Sequence, residues 1–168
     1  MKVYDTNIIK DQFPALQRKV WDKKLVYLDS AASMQKPKRV LDAISKSYSF
    51  NYSNVHRGLH KLSEEATANY EGSRIKVAKF INCSENEVIF TSGATAALNL
   101  VAYSWGMRNL SAGDEIIITI AEHHANIVPW QIISEQKNVK IIAAHVDPNS
   151  DFNPDIIRDL VTDKTKII

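Results

Sequence analysis

At 168 residues the chain has about one domain's worth of length and enough material for a sizeable core. Hydrophobic residues make up 45% and charged residues 24%, and 21 Lys and Arg against 19 acidic residues leave a net charge of +2, without the basic excess of a nucleic-acid or membrane-surface binder. A single cysteine, Cys83, excludes an internal disulfide and a cysteine-built metal site and reads as structural. The opening "MKVYDTNIIKDQFPAL" lacks the layout of a signal peptide, and no apolar run approaches the roughly 20 residues of a membrane span. The expectation is a cytoplasmic protein.

Along the chain, "IIKDQFPAL" predicts a short helix and "LVYLDS" a short strand. In "KPKRVLDAISKSYSF", Val40, Leu41, Ile44 and Tyr48 recur at helical spacing. "NYSNVHRGLHK" suits neither period and predicts an ordered loop. Ser63 then offers a cap for a long helix, with Glu64 and Glu65 in its positive first turn and apolar residues up to Phe80 and Ile81. From Glu87 the pattern alternates. "EVIFT", "EIIITI" and "VKIIAAHV" predict strands. "ATAALNLVAYSW", "NIVPWQIISEQK" and "NPDIIRDLV" predict helices, the last with Asn153 as cap and Pro154 in the first helical position. Strands apolar on both faces between helices predict an α/β fold with a mainly parallel sheet and helices on both faces. "TDKTKII" reads as the start of a further strand, so the expectation is the amino-terminal part of something longer.

Open α/β sheets bind ligands at the carboxyl ends of their strands. "TSGAT", "AEHHAN" and His145 are placed to gather there. "TSGAT" has the makings of a phosphate cradle: Gly93 allows close approach, Ala94 and Thr95 begin a helix with free N–H groups, and Thr95 adds a hydroxyl. The plainer alternative is a tight strand-to-helix turn. It is neither a P-loop nor a dinucleotide loop, since the required Gly-Lys-Ser/Thr and Gly-x-Gly-x-x-Gly patterns are missing. For His123 and His124, strand alternation predicts opposite faces, which disfavours a shared metal ion. That leaves one histidine facing the crevice, suited to lie against a flat aromatic group or to move a proton, or else a structural strand-end histidine.

Taken together, "YLDSAASMQKP", "NVHRGLHKLSEEAT", "TSGATAALNLVA" and "GDEIIITIAEHHANIVPWQ" occur in the order and at the spacing of a known group. The chain resembles the SUF-type cysteine desulfurases, a branch of the class V aminotransferase group of pyridoxal-phosphate enzymes, from Phe13 onward. The resemblance implies the large pyridoxal-phosphate-binding domain of the aspartate aminotransferase-like fold, truncated at 31–168, with 1–30 the amino-terminal segment of the small domain and its lead-in strand. It implies that His123 stacks on the cofactor ring and takes part in proton transfer. Ala94, by its backbone, and Thr95 would bind the phosphate, and Asn126 would lie at the cofactor crevice. Ala31 and Ala32 would line the substrate side, and His56 and Arg57 the site entrance among the catalytic groups. No metal is implied.

The sequence departs from the family at two positions: relatives usually carry threonine where this chain has Ala94, and often arginine where it has Ser92. A lost hydroxyl removes a phosphate hydrogen bond of order 1–2 kcal/mol. The family's cofactor-bearing lysine, its aspartate partner to the pyridine nitrogen and its cysteine nucleophile have no counterpart among these residues, so the 168-residue chain alone is expected to be inactive. By resemblance the complete enzyme converts L-cysteine to L-alanine, retains the sulfur as a persulfide and passes it to an acceptor for iron–sulfur cluster assembly. It would act as a homodimer, with no nucleic-acid or membrane partner. The alternatives are a selenocysteine lyase or another class V enzyme, and an inactive split-gene or truncated remnant.

Overall fold

Asp5 caps the first helix, α1 (Thr6–Asp11), by accepting the Asn7 N–H at 2.8 Å. The structure is a computed structural model and describes residues 5–147 and 153–168. It divides into two units, Met1–Val88 and Ile89–Ile168.

In the first unit a two-residue hairpin joins β1 (Lys19–Val20) to β2 (Lys23–Lys24), with Trp21 and Asp22 both left-handed at φ 50° and 60°. "LVYLDS", expected as a strand, is extended but carries no ladder. Leu25 N–H reaches Arg18 C=O at 3.1 Å, while Val26 and Leu28 stay exposed. Apolar alternation specifies an extended chain; it does not by itself supply a neighbour to pair with. Helix α2 (Lys38–Lys46) follows Pro37 and runs on through a wider turn at Ser47–Asn51. Helix α3 (Lys61–Ile81) starts from His60, so Ser63 lies inside its first turn and is not its cap. Ser63 is 1% exposed, and its hydroxyl donates to Asn54 C=O at 2.7 Å and accepts Gly58 N–H at 3.0 Å. The hydroxyl thus closes the preceding loop. Left-handed Asn82 ends α3, and the Cys83 N–H returns to Ala78 C=O at 2.9 Å. Ser84 and Glu87 form a capping box around the short turn that follows. "EVIFT" is a second expected strand without a ladder, and the Val88 carbonyl is taken by the Arg74 guanidinium instead.

In the second unit α4 (Ala94–Val101) continues through a wider turn, Ala102–Gly106, into α5 (Met107–Asn109). Strand β3 (Glu115–Thr119) lies between β4 (Lys140–Ala144) and β5 (Thr165–Ile167), all parallel. Its register runs from Glu115↔Lys140 to Thr119↔Ala144 on one side and begins at Glu115↔Thr165 on the other. Between β3 and β4 lies α6 (Val128–Lys137), with Pro129 in its first turn where a missing N–H costs nothing. Left-handed Asn138, at φ 54°, ends it. Ala102, Leu110, Ile116, Trp130, Ile133 and Val139 form the core, with Ile118, Ile141 and Ile167 of the three strands packed against them. Period-two alternation puts Ile117 on the other face, where it is also buried. Helix α7 (Asp155–Arg158) starts from Pro154, one residue later than expected, so Asn153 precedes the cap, and its Oδ1 accepts the Asp155 N–H at 3.0 Å. The observed class is the α/β fold with a parallel sheet. Among the described residues no helix is long and apolar enough to cross a membrane.

Candidate functional site

Strand β3 stops at Thr119, so both histidines lie beyond it and strand alternation does not decide which way they face. His123 is extended, at φ −67° and ψ 144°, and caps a tight turn over His124–Asn126. Its Nδ1 accepts the Ala125 N–H at 3.1 Å. In the neutral ring the proton therefore sits on Nε2. The two imidazoles are exposed, with centroids 6.3 Å apart and planes inclined by 63°. Among the described residues no group of three or more His, Cys, Asp or Glu could hold a metal ion. His145 follows β4 and is exposed.

A polar chain braces this turn. Glu122 accepts the Thr119 hydroxyl at 3.1 Å and the Asn126 amide at 3.0 Å, and Asn126 Oδ1 accepts the Trp130 indole N–H at 3.1 Å. Both ends of the Asn126 carboxamide are therefore engaged inside the unit. Sequence reasoning passed over Glu122, although Glu122, Asn126 and Trp130 stand at intervals of four. Beside the chain is a mainly apolar cavity of about 660 Å³, lined by Leu98, Val101, Ile117, Thr119, Glu122 and Trp130 among others.

The start of α4 supplies the second half of the site. Gly93 is in extended backbone, and a Cβ placed there would meet nothing within 4 Å. The glycine thus leaves open space at the helix start. No side chain caps the helix, and Ala97 N–H to Gly93 C=O, at 3.1 Å, is its first backbone bond. The N–H groups of Ala94, Thr95 and Ala96 precede that bond and have no carbonyl upstream in the helix to meet. Ala94 and Thr95 are exposed. Helix α4 packs against the 124–126 turn, which sets the open helix start and the His123 turn on neighbouring elements.

Within the first unit, Ala31 and Ala32 occupy an exposed turn closed by Ser33 N–H to Asp29 C=O at 3.0 Å, with the Tyr27 hydroxyl reaching the carbonyls of Asp29 and Ser33. His56 has φ 70°, uncommon for a residue with a side chain, and three contacts hold it there. Its N–H donates to Thr67 Oγ1 at 2.8 Å, its Nε2 lies 3.2 Å from Glu71, and its ring meets Tyr70 edge-on at 5.8 Å. Arg57, next in sequence, is exposed. Glu71 also accepts from Arg74 at 2.9 Å, and this hydrogen bond raises the guanidinium pKa above its ordinary value. Ser63, Thr67 and Glu71, one turn apart on α3, therefore hold the 54–58 loop.

Comparison with known proteins gives the family and the fold. A probable cysteine desulfurase from Vibrio cholerae is 48% identical over 161 residues, covering 95% of this chain and 40% of its own length. One from Synechocystis is 46% identical over 161 residues, covering 95% of this chain and 38% of its own. The chain thus spans 38–40% of the length of these relatives. The crystal structure of the Escherichia coli cysteine desulfurase CsdA, in an S-sulfonic acid form, superposes with a TM-score of 0.81 at 36% identity, covering 99% of this chain and 41% of that one. The family profile described as aminotransferase class-V matches residues 26–168. With that match spanning most of its length, the chain belongs to the class-V aminotransferase family.

Proposed function

We propose that this chain is the amino-terminal portion of a SUF-type cysteine desulfurase and provides part of its pyridoxal 5'-phosphate site. The observation that carries the reading is the uncapped start of α4 at Ala94 and Thr95, set against the turn that presents His123. Free N–H groups, one exposed hydroxyl and open space at Gly93 suit a phosphate, and an exposed flat ring suits an aromatic face. The residues present therefore fit the group. When bound, the cofactor supplies the electron sink for breaking bonds at the substrate's α and β carbons.

The chain's own residues bind and orient. Thr95 and the backbone from Ala94 would hold the phosphate, and His123 would lie against the ring with its Nε2 proton available for transfer. On this reading Asn126 supports the His123 turn. Ala31 and Ala32 leave substrate room, and His56 and Arg57 serve the substrate side. Residues 1–30 belong to the small domain and 31–168 to the large one. The complete enzyme takes L-cysteine to L-alanine, keeps the sulfur as a cysteine persulfide for an iron–sulfur assembly acceptor, and works as a cytoplasmic homodimer. The 168-residue chain alone does not turn over, because none of its lysines lies in the family's Ser-x-His-Lys setting.

The test is cofactor binding followed by borohydride reduction. The chain is expected to bind pyridoxal phosphate reversibly, with Thr95→Val weakening it by about tenfold for one charge-assisted bond. No lysine should be labelled, and no alanine should form from L-cysteine. Labelling of one specific lysine, together with alanine production, would overturn the claim that the chain is incomplete as a catalyst.

A further inference from the structure

We infer that Glu122 is the positioning residue of the His123 turn, fixing its place against the end of β3. His123 is bonded within its own turn, through Ala125 N–H, so that contact orients the ring without locating the turn. Glu122 makes the link outward. One carboxylate oxygen takes the hydroxyl of Thr119, the last residue of β3; the other takes the amide of Asn126, the last residue of the turn. Asn126 in turn accepts from the indole of Trp130, which is 5% exposed and belongs to the core. The strand end, the turn and α6 are thereby tied by three hydrogen bonds, with His123 between the first and second attachment points.

Donor and acceptor chemistry makes the arrangement directional. An indole can only donate, so Asn126 must present its oxygen to Trp130 and its NH₂ to residue 122. Position 122 therefore needs an acceptor on that side. On the Thr119 side the demand is weaker, because a hydroxyl can donate or accept. Glutamine meets both conditions by giving its carbonyl to Asn126 and its NH₂ to Thr119. Leucine meets neither. The inference rests on the reading of His123 as the ring-stacking residue only for its functional meaning; the geometry it concerns involves no cofactor.

The experiment is NMR of the full chain, following solvent exchange of the Trp130 indole proton and the ring resonances of His123, with Ile117 amide protection as the measure of an intact sheet. In Glu122→Leu, indole exchange should accelerate by about tenfold or more, the effect of losing one hydrogen bond to a charged group, and the His123 resonances should move. Glu122→Gln should stay near the parent in both readouts. Placed in a Thr119→Val background, Glu122→Gln keeps its carbonyl on the Asn126 amide but loses the strand anchor, so indole exchange should stay slow while the His123 resonances move. If Glu122→Leu loses sheet protection, Glu122→Asp, one methylene short of both partners, takes its place. Parent-like Trp130 and His123 signals in Glu122→Leu, or a Glu122→Gln as disruptive as the leucine variant, would overturn the inference. A separate result, His123→Ala leaving pyridoxal phosphate affinity unchanged, would sink the stacking reading and leave the Glu122 result standing.

Discussion

Replacing Gly58 with alanine tests how tightly the 54–58 loop is set on α3. The new Cβ would lie 2.4 Å from both Cβ and Oγ of Ser63 and 3.2 Å from His60 Nε2. Ser63 cannot retreat, because it is 1% exposed and fixed within the first turn of a 21-residue helix. Relief requires the loop to lift, which breaks the Gly58 N–H and Asn54 C=O bonds to the Ser63 hydroxyl. Two such bonds contribute about 1 kcal/mol each, and residual overpacking adds about 1 kcal/mol, for a loss of roughly 3 kcal/mol. Urea unfolding should show the loss as a lower midpoint at unchanged slope. Ser63→Gly removes both clashing atoms and the hydroxyl that makes both bonds, so the double variant Gly58→Ala/Ser63→Gly should cost about 3 kcal/mol less than the sum of the singles. Additive singles, or a Gly58→Ala within about 0.5 kcal/mol of the parent, would refute the steric argument.

Ile133 is fully buried among Ala102, Leu110, Ile116, Trp130 and Val139, so Ile133→Ala should destabilise the second unit by about 3–4 kcal/mol in chemical denaturation. Asn138 ends α6 in the left-handed region, so Asn138→Ala should cost about 1 kcal/mol whereas Asn138→Gly should be neutral or stabilising, as read by thermal unfolding.

The sequence made legible whatever depended on apolar period. "EIIITI" and "VKIIAAHV" became β3 and β4 because continuous apolar runs between helices suit a strand buried on both faces. "LVYLDS" and "EVIFT" carry a similar local signal, yet a strand also needs a neighbour, and neither has a ladder. Ser63 failed as a cap for a related reason. Its position before an apolar helix matched the pattern, but a buried hydroxyl had a better use in closing the loop. At the candidate site, Thr95 and His123 could be proposed from the sequence because each has a chemistry that its neighbourhood selects. Glu122 was hidden among many surface-type carboxylates, and only the folded turn reveals that its two oxygens have separate partners. Strand alternation could not orient His123, because the strand had already ended at Thr119.

Three side chains of α3 hold the loop that contains His56 and Arg57, and this makes the segment from Ser63 to Glu71 a ruler. Each residue of a helix turns the chain by about 100° and advances it about 1.5 Å, so four-residue steps keep Ser63, Thr67 and Glu71 nearly in line. Deleting a single residue between Ser63 and Thr67 would swing Thr67 and Glu71 about 100° off that line, although composition and helix propensity would hardly change. The same deletion beyond Arg74 would leave all three attachment points in phase. The constraint on this helix is therefore one of count as well as chemistry: which residues stand at 63, 67 and 71 matters no more than the number of residues between them.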